Sequence, residues 1–168
     1  MQLKPKFSLS ALSVLLISIL SVISTQAQMF APGKQSEPIT WKADAHMTSA
    51  RDGVVTITAD IDKGWHLYGL DMPEDGPQAT SITFPATEGI TFNGNVTADR
   101  KPIVKQDPMF GTDVNFWEHK VVFTQKFRLT KKDVKTIRCN VSFMGCNDQT
   151  CLPPKKKELT TDIAPLKK

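Results

Sequence analysis

Residues 39–61 read ITWKADAHMTSARDGVVTITADI, and their period is two. Ile39, Trp41, Ala43, Ala45 and Met47 alternate with Thr40, Lys42, Asp44 and His46. After an Arg51-Asp52-Gly53 turn signal, Val55, Ile57, Ala59 and Ile61 alternate with Thr56, Thr58 and Asp60. Side chains two apart share one face of a strand, so each half of this stretch has one apolar and one wet face. The pair predicts two adjacent antiparallel strands.

The same pattern continues in shorter pieces. Strand-like runs occupy Trp65–Leu70, Ser81–Phe84, Ile90–Phe92, Val121–Leu129 and Ile137–Met144. Turn chemistry separates them at Met72–Pro77, Asn93-Gly94-Asn95 and Pro108–Gly111. Beyond the N-terminal segment no stretch keeps a helical period for three turns. About seven to nine short strands predict an all-β, immunoglobulin-like antiparallel β-sandwich, with a small barrel as the other architecture this pattern serves.

Length and composition suit one such domain: 168 residues, 40% hydrophobic and 23% charged. Residues 1–27 have the layout of a secretory signal. Lys4 and Lys6 precede a 13-residue apolar run, Ala11 to Ile23, broken only by serines, and Thr25-Gln26-Ala27 offers a cleavage site near Ala27. The run is shorter than the roughly 20 apolar residues a bilayer span requires, so no retained membrane span is expected. Residues 28–38, with Pro32, Gly33, Ser36 and Pro38, read as a flexible leader, and 39–168 as the domain. Removing Lys4 and Lys6 takes the net charge from +4 to +2, too weak to indicate nucleic acid. Lys155-Lys156-Lys157 and Lys167-Lys168 are expected as solvated strand-edge and terminal lysines.

Export places the three cysteines in an oxidising compartment, and an odd count leaves one over. Cys139 shares a strand face with Ile137, Val141 and Phe143, which predicts a buried, inert thiol. Cys146 and Cys151 flank a polar turn, Asn147-Asp148-Gln149-Thr150, followed by Leu152-Pro153-Pro154. Their spacing lets a tight turn bring the two Cβ atoms within bonding range. Such a pair serves as a structural staple or as a redox centre. A six-residue ring removes only about 2 kcal/mol of unfolded-state entropy, which makes a poor staple, whereas two thiols held close resolve a mixed disulfide quickly. A third reading adds Met144 and one of His46, His66 or His119 as ligands for a soft ion such as copper(I), but no histidine stands at ligand spacing. The histidines are otherwise expected on the surface or rim of strands. Hydrolase and nucleotide-binding motifs are missing from the sequence.

CNDQTCLPP at 146–154 resembles the N-terminal periplasmic domain of the thiol:disulfide interchange reductase DsbD. Gly64-Trp65-His66-Leu67-Tyr68 resembles that family's early aromatic strand, and Asp107-Pro108-Met109-Phe110-Gly111 its cap loop. The resemblance covers roughly Ile39 to Ile163. It implies an immunoglobulin-like sandwich with a reversible Cys146/Cys151 pair and no other cofactor or metal. The pair would pass electrons from a thioredoxin-like or membrane thiol–disulfide reductase to periplasmic disulfide proteins, as a protein-disulfide reductase-type carrier. Cys151 would be the sulfur that forms mixed disulfides and Cys146 its partner; Asp107 would influence proton transfer; Met109 and Phe110 would shield the pair. The best-known members have one more residue between the cysteines, and an acid and an aromatic where this chain has Pro108 and Met109. A stand-alone copy would take its electrons from a separate protein. The alternative is a non-enzymatic exported binding or scaffold sandwich whose disulfide is structural.

Overall fold

A computed structural model describes residues 37–166, and among these all regular structure is β. The signal and most of the leader expected at the N-terminus lie outside the described residues. Ile39–Met47 (β1) and Asp52–Ile61 (β2) pair antiparallel along their length, from Ile39 opposite Ile61 to Met47 opposite Gly53. The turn between them is tied by Ser49, whose hydroxyl donates to the Asp52 carboxylate (2.9 Å) and accepts from the Asp52 N–H (2.9 Å). The remaining strands are β3 (His66–Tyr68), β4 (Ser81–Thr83), β5 (Ile90–Ala98), β6 (Ile103–Asp107), β7 (Thr112–Trp117), β8 (Lys120–Leu129), β9 (Thr136–Phe143), β10 (Gly145–Cys146) and β11 (Lys155–Ala164). They form a seven-stranded sheet, β4-β9-β11-β1-β2-β8-β5, and a four-stranded sheet, β10-β3-β7-β6. All neighbours are antiparallel except β1 and β11, which meet in parallel at Ala45 opposite Ile163. This is the expected immunoglobulin-like sandwich.

The core lies where the alternation pointed. Val55, Ile57, Ala59 and Ile61 of β2 and Ile137, Cys139, Val141 and Phe143 of β9 are all buried. Leu67 and Trp117 of the smaller sheet join the same cluster, so it is shared by both sheets. Phe123 of β8 is its hinge point, with ring centroids 6.1 Å from Trp41 and 5.2 Å from Trp117. Truncating a fully buried phenylalanine removes its transfer energy and leaves a cavity. Phe123→Ala is therefore expected to lower unfolding free energy by about 3–5 kcal/mol, read from urea denaturation followed by tryptophan fluorescence.

Three expectations are corrected. Lys155, Lys156 and Lys157 do not lie at a sheet edge: β11 sits between β9 and β1, and Lys155 and Lys157 both pair with Glu37. Glu37 is held below the usual carboxylate range by those two ammonium groups. It belongs, with buried Pro38, whose carbonyl accepts from Asp62 N–H (2.8 Å), to the packed domain rather than to a leader. Asn93-Gly94-Asn95 is not a connection but a bulge inside β5, where the register with β8 shifts between Asn93 and Thr97. Buried Gln125 donates to the Asn93 (2.9 Å) and Gly94 (3.3 Å) carbonyls that the bulge leaves free.

Candidate functional site

The chain changes sheets between β9 and β10. Phe143 ends one strand in the main core, Met144 turns, and Gly145-Cys146 begins pairing with β3 in the other sheet. A Cβ at 145 would stand 2.5 Å from Ile39 Cδ1, so a side chain there requires the buried Ile39 to shift. The turn that follows is fixed by Asn147, whose Oδ1 accepts from the N–H groups of Gln149 (2.9 Å) and Thr150 (2.8 Å). Asn147 N–H donates to Thr150 O, and Leu152 N–H to Gly145 O, both at 2.9 Å. This brings Cys151 back opposite Cys146, Cα atoms 4.1 Å apart, and the two are joined in a disulfide. Cys146 is 1% exposed; Cys151 is half-buried. Cys139 is a free thiol in the main core, and burial pushes it up to about 11, as expected of an inert cysteine.

The register shows what surrounds the pair. Cys146 lies opposite His66, Tyr68 opposite Phe116, and Thr112 opposite Asp107. With the alternation of strand faces, Cys146, His66, Tyr68, Phe116, Val114 and Asp107 share the outer face of the small sheet, while Leu67 and Trp117 point to the main core. The outer face builds a satellite cluster of Tyr68, Val114, Phe116, Met144 and Cys146, with Met72, Phe110 and Cys151 packed against it. A cavity of about 330 Å³ opens on this face, lined by His66, Asp107, Met109, Phe116, Cys146 and Asp148 among others.

The β6–β7 hairpin lays its tip over the disulfide. Gly111, at φ 68°, closes the turn by donating to Asp107 O (2.7 Å). Asp107 anchors the tip through both carboxylate oxygens: Oδ1 accepts Met109 N–H (2.8 Å) and Oδ2 accepts the Tyr68 hydroxyl (3.1 Å). Burial, and then the Asp107 charge, push the Tyr68 phenol well above its ordinary value, so it stays a donor. Phe110 meets the Tyr68 ring edge-on, centroids 6.1 Å apart. Met109, 55% exposed, rests its sulfur 3.7 Å from Cys151 Sγ.

The structure thus brings together Cys146, Cys151, Asp107, Met109 and Phe110. His66 and Tyr68 also belong to the site, although the residues alone gave Tyr68 no role in it and His66 only that of one of three candidate ligands for a soft ion. The shared phase of His66 and Tyr68 was visible in the sequence; their pairing with strands some 50 to 80 residues away was not. Cys146 and Cys151 are committed to each other, His46 and His119 are exposed, and no group of three or more metal-ligating side chains occurs among the described residues. No helix of the described residues is long and apolar enough to cross a membrane.

Fold and site together define an immunoglobulin-like sandwich bearing a capped, half-exposed cystine on the outer face of its smaller sheet. The chain belongs to the family described as thiol:disulfide interchange protein DsbD, N-terminal, whose model matches residues 35–163. Among solved structures it is similar to the N-terminal periplasmic domain of ScsB from Proteus mirabilis, with TM-score 0.57 and 16% identity over 77% of this chain and 48% of that one. The chain thus spans about half of that structure. It is also similar to the Neisseria meningitidis DsbD N-terminal domain in the reduced form, with TM-score 0.44 and 19% identity over 66% of this chain and 75% of that one. No curated protein matches it.

Proposed function

We infer that this protein is a thiol–disulfide exchange domain that takes electrons from a thioredoxin-like or membrane-bound thiol donor and gives them to protein disulfides in the periplasm. The observation that carries this reading is the asymmetry of the Cys146–Cys151 bond: one sulfur is buried, the other half-buried under a methionine on a hairpin tip. Membership of a thiol:disulfide interchange family supports it. Export by a signal over residues 1–27, cleaved near Ala27, and a domain that begins by Glu37 and extends to Lys168 complete the reading.

In the reduced form, Cys151 thiolate attacks an acceptor disulfide. A Cys151–acceptor bond forms and the acceptor's other sulfur leaves with the electron pair. Cys146 then loses its proton and attacks Cys151 Sγ, closing the intramolecular disulfide and releasing the acceptor's second thiolate. Two electrons have moved, and the acceptor thiolates take up two protons. Recharging runs the steps backwards: a donor thiolate attacks Cys151 and Cys146 leaves. Exchange rate depends on access to the attacked sulfur, which assigns the encounter to Cys151. Around it, Met109 and Ile103 present exposed apolar surface on the same face (Ile103 48% exposed), a surface a partner would cover on docking.

The test is the reduction potential, by equilibration with glutathione or dithiothreitol, acid quench, and alkylation under denaturing conditions. Mass spectrometry then distinguishes one alkyl group (oxidised pair, Cys139 alone) from three. A value of about −180 to −270 mV is the range of protein shuttles; a value below about −300 mV marks a structural bridge and overturns the assignment.

A further inference from the structure

Closing the Cys146–Cys151 bond requires Cys146 to lose a proton inside the apolar cluster of Tyr68, Val114, Phe116 and Met144. A thiolate there is costly, because burial disfavours the charged form, so a nearby group that receives the proton lowers the barrier. Asp107 is one of three carboxylates lining the cavity, with Glu118 and Asp148, but both its oxygens are already engaged, one by Met109 N–H and one by the Tyr68 hydroxyl. It is built to hold the cap.

His66 is placed differently. It is the cross-strand partner of Cys146, and directly opposed side chains on one face lie about 4.5–5.5 Å apart at Cβ. Its ring is clamped by Tyr68 (centroids 5.0 Å, edge-on) and Phe116 (4.8 Å). Its Nε2 is buried without a hydrogen-bond partner, as among the described residues is otherwise true only of the Trp41 indole nitrogen, which does not titrate. His66 and Cys146 line the same cavity. A buried, unsatisfied ring nitrogen on the cross-strand partner of a cysteine that must ionise is the feature left unexplained by packing.

We propose that His66 is the proton-transfer residue of the exchange site, taking the Cys146 proton as the intramolecular disulfide closes and returning it when Cys146 is the leaving sulfur. This rests on the shuttle reading above. As the Cys146–Cys151 bond forms and the Cys151–acceptor bond breaks, the thiol proton passes to Nε2 and the acceptor sulfur leaves with the electron pair. The imidazolium then gives its proton to water at the cavity mouth, where Lys105, Gln106 and Asp148 are exposed. The charged groups facing His66 are Asp107 and Lys105 of β6, Glu118 after β7, and Asp148 of the cysteine turn. Burial dominates and lowers the histidine; the three carboxylates pull it back up and Lys105 adds slightly to the lowering. The sign follows: the ring stays neutral, hence basic, to lower pH than an ordinary histidine, and proton acceptance is lost as pH falls through its lowered value.

The experiment uses reduced protein and oxidised glutathione, with the two steps separated by quench and mass spectrometry: glutathione adds at Cys151, then Cys146 expels it. His66→Phe keeps the aromatic stack, and His66→Gln keeps a polar group that does not titrate. In both, adduct formation is expected at the wild-type rate and expulsion slower by about 10-fold at pH 7, below the usual ~10²–10⁴-fold of general-base catalysis because water also accepts the proton. Wild-type expulsion should level off above the histidine's titration, while in the variants it should climb about tenfold per pH unit from 5 to 8, following hydroxide. Variants with wild-type expulsion rates and an unchanged pH profile overturn the role of His66 and leave the shuttle intact. If the wild-type pair instead has the potential of a structural bridge, the shuttle falls, and this role with it. Should His66→Phe not fold, the His66→Gln profile alone decides between these outcomes.

Discussion

Cys151→Ser is expected to reduce exchange with protein disulfides to the uncatalysed background, and Cys146→Ser to stop it one step later. The two variants differ because the two sulfurs do. Without Cys151, the remaining thiols are Cys139, buried in the main core, and Cys146, 1% exposed and packed behind Tyr68, Phe116 and Met144, where a partner disulfide reaches neither. Without Cys146, Cys151 still attacks, but no thiol remains beside it to expel the partner, Cys139 being in the main core. Cys146→Ser should therefore accumulate a long-lived mixed disulfide, visible as a higher-mass species on non-reducing gels and absent from Cys151→Ser. Both variants should fold, since a six-residue ring contributes only about 2 kcal/mol through the unfolded chain. Wild-type exchange by Cys151→Ser sinks the shuttle; trapping by Cys151→Ser but not by Cys146→Ser would reverse the roles of the two sulfurs.

How much of this was legible in the sequence follows from where alternation is physically enforced. β2 and β9 each bury one face and wet the other, so Val55-Ile57-Ala59-Ile61 and Ile137-Cys139-Val141-Phe143 spell themselves out. β6 does not: it is an edge strand exposed on both faces, and Ile103-Val104-Lys105-Gln106-Asp107 carries no period. β7 hides for the opposite reason. Phe116 and Trp117 are consecutive and both buried, one in the satellite cluster and one in the main core, so a strand covered on both faces loses its alternation. In β11 the inward positions begin with Lys155 and Lys157, whose burial is compensated by Glu37 from far back in the chain. The three lysines read as surface for that reason. At the site, the Cys146/Cys151 pair is local and visible in its spacing. The Asp107–Phe110 cap entered by resemblance alone, because its place over the disulfide depends on three strand registers at once.

That placement of the cap carries the second large effect. Phe110→Ala is expected to make the disulfide react faster with small thiols, by about 10–30-fold. The tip holds to the sheet through few contacts: the Phe110–Tyr68 edge contact, the two bonds to the Asp107 carboxylate, and Met109 against Cys151. Removing a half-buried ring and its aromatic pairing costs the closed tip about 1.5–2 kcal/mol. At tenfold per 1.4 kcal/mol, the open fraction then rises by about the factor quoted. Dithiothreitol reaches Cys151 when the tip is lifted, so its rate constant reports the open fraction directly. Protein partners behave differently, because a docked partner displaces the tip through its own contacts, and their rates should rise far less. Global stability should change little, since Phe110 packs on the satellite cluster and not on the core shared by the sheets. An equal dithiothreitol rate in wild type and Phe110→Ala would show that Met109, not the ring, shields the sulfur. A rate increase matched by an equal loss of unfolding free energy would mean that the tip is part of the cooperative fold and no gate at all.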